Sequence, residues 1–177
     1  MPFVRAAGDA DLPAVTAIYA HWVMHGLASF EEIPPSLDEI RARRAKVLAD
    51  GLPYLVAEEG DQIVGFAYAT IYRGRSAYRY TAEDSIYIHP DHARKGVGAA
   101  LLGALIAECE ARGCRQMVAQ IGDSANAASI GLHERFGFQH AGTLRSVGFK
   151  LGRWVDSVRM QRSIGPGDRS LPGEGRG

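Results

Sequence analysis

The run from Thr81 to Ala99, T-A-E-D-S-I-Y-I-H-P-D-H-A-R-K-G-V-G-A, constrains the architecture of this chain more than any other segment. It begins as a strand-like stretch that carries carboxylates and continues into a turn containing Pro90. A basic loop punctuated by Gly96 and Gly98 then opens directly into an amphipathic helix. A strand that feeds a helix in this way belongs to a layered α/β domain. The loop also carries chemistry. A helix N-terminus presents unpaired N–H groups and a partial positive charge, which together attract anions. Arg94 and Lys95 add full charges, and the glycines let the backbone approach an anion closely. The segment Arg94, Lys95, Gly96, Val97, Gly98 and Ala99 therefore suits a phosphate or pyrophosphate. It lacks the Gly-Lys-Ser/Thr ending of a P-loop and the third glycine of a dinucleotide fingerprint.

The remaining elements follow from periodicity and punctuation. Phe3–Ala6 reads as a short strand. Asp9 or Asp11 can cap the helix that follows, with Pro13 in its first turn. Leu12, Val15, Tyr19, Trp22 and Val23 recur at helical spacing. Pro34-Pro35 breaks the chain, and Ser36 caps a second helix to about Ala49. Tyr54–Glu58 and Ile63–Tyr72 pair as a hairpin around Gly60-Asp61. Gly74–Tyr80 is a polar, aromatic loop, and Thr81–Ile88 is the central strand. Gly98–Arg112 is the best helix, with one apolar face from Val97, Leu101, Leu102, Leu105, Ile106 and Cys109. Gln116–Ile121 is a strand, and Asn126–Phe136 is a helix stopped by Gly137. Phe138–Leu144 and Phe149–Met160 close the fold around a turn at Gly152-Arg153. The order predicts one α/β domain over residues 1–164 with a mixed sheet. The stretch Gly165–Gly177 is mostly Gly, Pro and charge, and is expected to be disordered.

Composition narrows the function. The chain has 177 residues, and its 20 acidic side chains balance 20 basic ones. A balanced charge gives no reason to expect nucleic acid or an anionic membrane as partner. No stretch approaches the roughly 20 apolar residues of a membrane span. No secretory leader is evident, so the chain reads as cytoplasmic. Cys109 and Cys114 form no metal-ligand pattern, and no metal is expected.

Several segments carry a family resemblance. The loop R-K-G-V-G-A resembles the coenzyme A loop of the GNAT superfamily of N-acetyltransferases. The segment N-A-A-S-I-G-L-H-E-R-F-G-F at Asn126–Phe138 is similar to a second mark of that superfamily. Y-R-G-R-S-A-Y-R-Y-T-A-E at Tyr72–Glu83 and G-F-K-L-G-R-W-V-D at Gly148–Asp156 resemble the phosphinothricin and methionine sulfoximine acetyltransferase branch. The resemblance runs from Phe3 to about Ser163. It implies a mixed sheet of about seven strands flanked by about four helices. It also implies acetyl-CoA as co-substrate, a small amino-acid-like substrate and a homodimer.

Site residues follow on matching positions. The resemblance places Glu83 as the base that takes a proton from the substrate ammonium, whose pKa is about 8 to 10. Strand alternation puts Glu83, Ser85 and Tyr87 on one face and Asp84 on the other. Main-chain groups of Ile86, Tyr87 and Ile88 would meet the pantetheine arm, in a strand that splays from its parallel neighbour. The N–H near Ile88 would face the thioester oxygen. Asn126 would contact the coenzyme, and can equally serve as an N-cap. His133 departs from the tyrosine common in the superfamily. It either donates a proton to the leaving thiolate or packs beside it. Arg73, Gly74, Arg75 and Tyr78 would bind the acidic end of the substrate, because arginine forks match carboxylates and phosphinates. Phe30, Asp84 and Ser85 would complete that pocket. Trp154 is expected to be structural or at a subunit interface. Two other readings stand beside this one. The chain could acetylate a protein N-terminus or lysine, or bind acyl-CoA without catalysis.

Overall fold

The computed structural model describes residues 2–173. Seven strands form one mixed sheet. They are β1 (Phe3–Ala6), β2 (Tyr54–Glu59), β3 (Gln62–Ile71), β4 (Thr81–Ile88), β5 (Gln116–Gly122), β6 (Gln139–Lys150) and β7 (Arg153–Ser163), in the order β1-β2-β3-β4-β5-β7-β6. Every neighbouring pair is antiparallel except β4 and β5. A parallel pair needs a crossover. Helix α3 (Val97–Ala111) supplies it, entered through the glycine loop.

Helices α1 (Leu12–His25) and α2 (Leu37–Ala49) lie on the opposite face from α3. Two adjacent residues of β3 show this. A side chain on Gly65 would meet Val97 and Leu101 of α3 at 3.0 and 3.1 Å. The neighbouring Phe66 packs edge-on against Tyr19 of α1. Glycine at position 65 is what lets α3 sit this close to the sheet. The last helix, α4 (Ala127–Arg135), lies between β5 and β6 in the chain.

The apolar spacing of α1 holds, with Ile18 joining Leu12, Val15, Tyr19 and Val23 in the core. Trp22 stays half-buried because its indole N–H donates to the carbonyl of Ile88, at 2.8 Å. Capping at this helix differs from expectation. Asp11 stands at the N-cap but does not cap α1 with its side chain; its carboxylate instead takes the Arg5 guanidinium and the Gly8 amide at the start of the preceding short turn. Ser36 caps α2 as expected, accepting from Glu39 N–H. Cys109 and Cys114 are both buried thiols.

The closing hairpin also differs in detail. Strand β6 continues to Lys150, and the turn falls on Leu151-Gly152, both at positive φ. The register breaks between Leu144 and Gly148, where Asp156 accepts from the Ser146 amide at 2.8 Å. That bulge falls between the expected strand end at Leu144 and the expected restart at Phe149, and the structure carries one strand through it. The first part of the tail has partners. Arg115 donates to the carbonyls of Gly167 and Leu171 and to the Ser170 hydroxyl. Residues 174–177 of the tail lie outside the described residues.

Candidate active site

The site grows from one irregularity in the sheet. Strands β4 and β5 pair from Thr81↔Gln116 to Asp84↔Ala119, and pairing stops there. Beyond it β4 stays on β3, and β5 stays on β7. The two strands therefore part and open a gap within the sheet. The bond from His89 N–H to Val64 carbonyl sets the phase of the antiparallel pair. Alternation then turns the main-chain groups of Ile86 and Ile88 toward the gap. Trp22 occupies the Ile88 carbonyl. A cavity of about 50 Å³ lies in the gap, with Ile86, Tyr87, Gly122, Asn126 and His133 in its walls.

The glycine loop stands at the end of β4. Arg94 and Gly96 both have positive φ, at 61° and 85°. Gly96 is the N-cap of α3 and offers no side-chain cap, so the first amides of α3 have no side-chain acceptor. Arg94 and Lys95 are exposed beside them. Gly96 needs its freedom for the left-handed turn, since a side chain there would meet nothing within 4 Å. Gly98 serves packing instead, because a side chain there would meet Ile88 and Leu132 at 3.0 and 3.1 Å. The arrangement can hold a pyrophosphate through backbone amides.

On the face shared with α1, Glu83 is half-buried. Burial, then the neighbouring Asp84 charge, push its carboxyl above the usual range, and Arg159 and Arg73 partly counter this. Ser85 shares that face, opposite Tyr68 of β3. The Tyr87 ring packs on Tyr19, 4.9 Å between centroids. Tyr72 follows β3, and its hydroxyl accepts from both Arg73 Nε, at 3.1 Å, and Arg159 Nη1, at 3.2 Å. Tyr78 meets Tyr72 edge-on, and Gly74 and Arg75 are exposed between them.

Phe30 closes the other side. Its ring lies over two glycines, so a side chain would come within 2.7 Å of it from Gly122 and 2.8 Å from Gly148. The loop that carries Phe30 is tied at several points. Lys150 Nζ donates to the Ser29 carbonyl at 2.6 Å, and the Tyr19 hydroxyl donates to Glu31 at 2.7 Å.

The structure does not bring Asp84 to the Glu83 face. Its carboxylate is buried on the other side of β4, 3.0 Å from Nε2 of His133. Nδ1 of His133 lies 2.7 Å from the Ser129 carbonyl. A carbonyl only accepts, so Nδ1 carries a proton. Burial by itself would lower the His133 pKa, but the Asp84 hydrogen bond and charge, with the Ser129 carbonyl, raise it. Asn126 is an N-cap, accepting from Ser129 N–H at 3.1 Å, and its amide also donates to the Gly122 carbonyl. It thereby joins α4 to the parted end of β5.

Arg159, Lys150 and the Trp22 indole have no place in the sequence reading of the site. Period-two alternation does put Arg159 opposite the apolar Val158 and Met160, but only register against β5 brings it near Glu83.

These features coincide with known proteins. The model of the acetyltransferase (GNAT) family matches residues 18–138. The chain is 60% identical over 169 residues to a phosphinothricin N-acetyltransferase of Alcaligenes faecalis, covering 96% of this chain and 86% of that protein. It is 41% identical over 170 residues to an L-methionine sulfoximine/L-methionine sulfone acetyltransferase of Pseudomonas paraeruginosa, covering 96% and 98%. A GNAT phosphinothricin acetyltransferase from Sinorhizobium meliloti, solved with acetyl-CoA, superposes with a TM-score of 0.95 at 44% identity, covering 98% of this chain and 94% of that one. With the parted strands, the glycine loop and these likenesses together, the chain belongs to the GNAT family of acetyltransferases.

Proposed function

We propose that this chain transfers an acetyl group from acetyl-CoA to the amino group of a small amino-acid-like substrate, of the phosphinothricin, methionine sulfoximine or methionine sulfone type. The carrying observation is the gap between β4 and β5, with Glu83 on the adjoining face. The amides of Arg94–Ala99 hold the pyrophosphate, and the main-chain groups of Ile86 and Ile88 align the pantetheine arm, while those of Tyr87 between them turn to β3. Glu83, directly or through one water, accepts a proton from the substrate ammonium. The freed amine attacks the thioester carbonyl, whose oxygen faces the Ile88 N–H as charge develops. The C–N bond forms, the adduct nitrogen gives up its second proton to water, the C–S bond breaks, and the thiolate takes a proton. Both nitrogens of His133 are held by protein acceptors, which supports packing beside the thiolate, with water as the proton source. No step calls for a metal.

Direct attack is favoured over an acetyl-enzyme. The Cys109 thiol is pushed up by its hydrogen bond with Cys114 and by burial, so it is a poor nucleophile. Arg73, Arg75 and Arg159 favour an acidic small molecule over a basic peptide, and the presence of Glu83 disfavours a non-catalytic sensor. We place the acetyltransferase unit at residues 1–164, in the cytoplasm. No helix among the described residues is long and apolar enough to cross a membrane. Val147, Phe149, Leu151 and Trp154 are exposed together on the β6–β7 hairpin, and a homodimer through that hairpin would cover them.

The test is thiol release from acetyl-CoA with phosphinothricin, methionine sulfoximine, methionine sulfone, common amino acids and a basic peptide. Activity confined to the amino-acid analogues, falling ~10²- to 10⁴-fold in Glu83→Gln with unchanged acetyl-CoA affinity, is expected. Activity on the peptide alone, or a Glu83→Gln variant as fast as the parent, overturns the reading.

A further inference from the structure

We infer that Arg159 receives the α-carboxylate of the substrate, opposite Glu83, and so makes a free carboxylate beside the reacting amine a requirement of this site. The inference rests on the amino-acid reading above.

The side chain is placed by register. On β7, Val158 and Met160 point into the core, so Arg159 points to the other face with Ser157 and Gln161. In the β5–β7 pairing Val118 opposes Gln161 and Gln120 opposes Arg159, while Val118 also pairs with Glu83 of β4. Arg159 thus lies one row beyond Glu83 on the same face, in the row where β4 and β5 have parted. From there its guanidinium reaches the Tyr72 hydroxyl at the end of β3.

Two observations mark it as a receptor and not a solvated surface group. Its Nε is buried with no hydrogen-bond partner, and so is the hydroxyl of Ser157, the next residue along that face. Its charge is also not consumed. Among the described residues neither Arg159 nor Arg73 forms an ion pair, yet both guanidiniums converge on the one Tyr72 oxygen. A second cation at that oxygen is unfavourable unless an anion joins them. A guanidinium fork takes a carboxylate in two parallel bonds. Glu83 and Arg159 interact without contact, close enough for the cation to lower the carboxyl's pKa and too far apart for an ion pair. An α-amino acid fits between such groups, with its ammonium toward Glu83 and its carboxylate toward Arg159. Its distal group then extends toward the exposed Arg73–Arg75 turn.

The experiment compares L-methionine sulfone with its α-carboxamide as acetyl acceptors, in the parent chain, Arg159→Gln and Arg159→Lys. The parent is expected to prefer the acid. In Arg159→Gln the KM for the acid should rise about 10- to 100-fold, the size of a lost charge-assisted hydrogen-bond pair, while the KM for the carboxamide stays within about two-fold. Arg159→Lys should lie between, keeping the charge without the fork. Equal losses on acid and carboxamide, or a fall in kcat shared by both, would mean that Arg159 acts only on the fold or on Glu83, and overturn the inference. If Arg159→Gln does not fold, the same comparison in Arg159→Lys decides it. A parent chain active on the acid with indifferent variants sinks this inference alone. A parent inactive on both compounds sinks the amino-acid reading and this inference with it.

Discussion

Replacing Asp84 with Asn should reverse the pH dependence of stability near neutrality. The two side chains of the Asp84–His133 pair are 3% and 4% exposed and 3.0 Å apart, and the second carboxylate oxygen has no partner. Removing one member of such a pair typically costs about 3–5 kcal/mol. Asn still accepts a hydrogen bond, so the lower end is expected, about 3 kcal/mol. At roughly 2–4 °C per kcal/mol for a domain of this size, Tm falls by roughly 6–12 °C at pH 6. The sign of the slope is more telling. In the parent, folded His133 holds its proton more tightly than unfolded histidine, whose pKa is about 6.5. That stabilisation is complete below about pH 6.5 and is lost as pH rises through the folded value. In the variant burial acts without the carboxylate and lowers His133, so stability is lost as pH falls below about 6.5. Thermal melts from pH 5.5 to 8.5 should therefore show a gap between the two proteins that is widest at the acidic end and narrows upward. A gap of constant width would refute a charged Asp84–His133 pair.

Other outcomes follow from the same contacts. The parent kcat/KM should fall as pH drops through the Glu83 pKa, at a limb displaced above the ordinary value of about 4.3, and Glu83→Gln should erase that limb in a pH–rate series. Gly122→Ala would set a methyl 2.2 Å from the Leu27 carbonyl and 2.7 Å from the Phe30 ring. Neither can yield cheaply, so about 1–3 kcal/mol of stability should be lost in denaturant titrations, with a raised KM for the amine. Trp22→Phe removes the donor to the Ile88 carbonyl and should cost about 1 kcal/mol, with a higher KM for acetyl-CoA.

The sequence by itself determined the layered architecture, the crossover helix and the left-handed glycine loop that enters it. Each rests on local physics. Leu101, Leu102, Leu105 and Cys109 share one helical face whatever they pack against, and Gly96 must supply a left-handed turn wherever a loop of this kind enters a helix. Alternation alone also separated Glu83 from Asp84, which the structure places on opposite faces of β4. Only the tertiary structure decided which distant residues meet. Strands β4 and β5 part after Asp84 because β3 and β7 hold them on their outer edges, a matter of pairing across the whole sheet. Arg159 reaches the Glu83 face through β5–β7 register, and slipping that register by one residue would turn it into the core. Phe30 finds its slot because Gly122 and Gly148, on strands consecutive in the chain but separated in the sheet by β7, meet beneath one ring. Local sequence patterns carry periodicity and backbone freedom. They do not carry register, and register is what assembles this site.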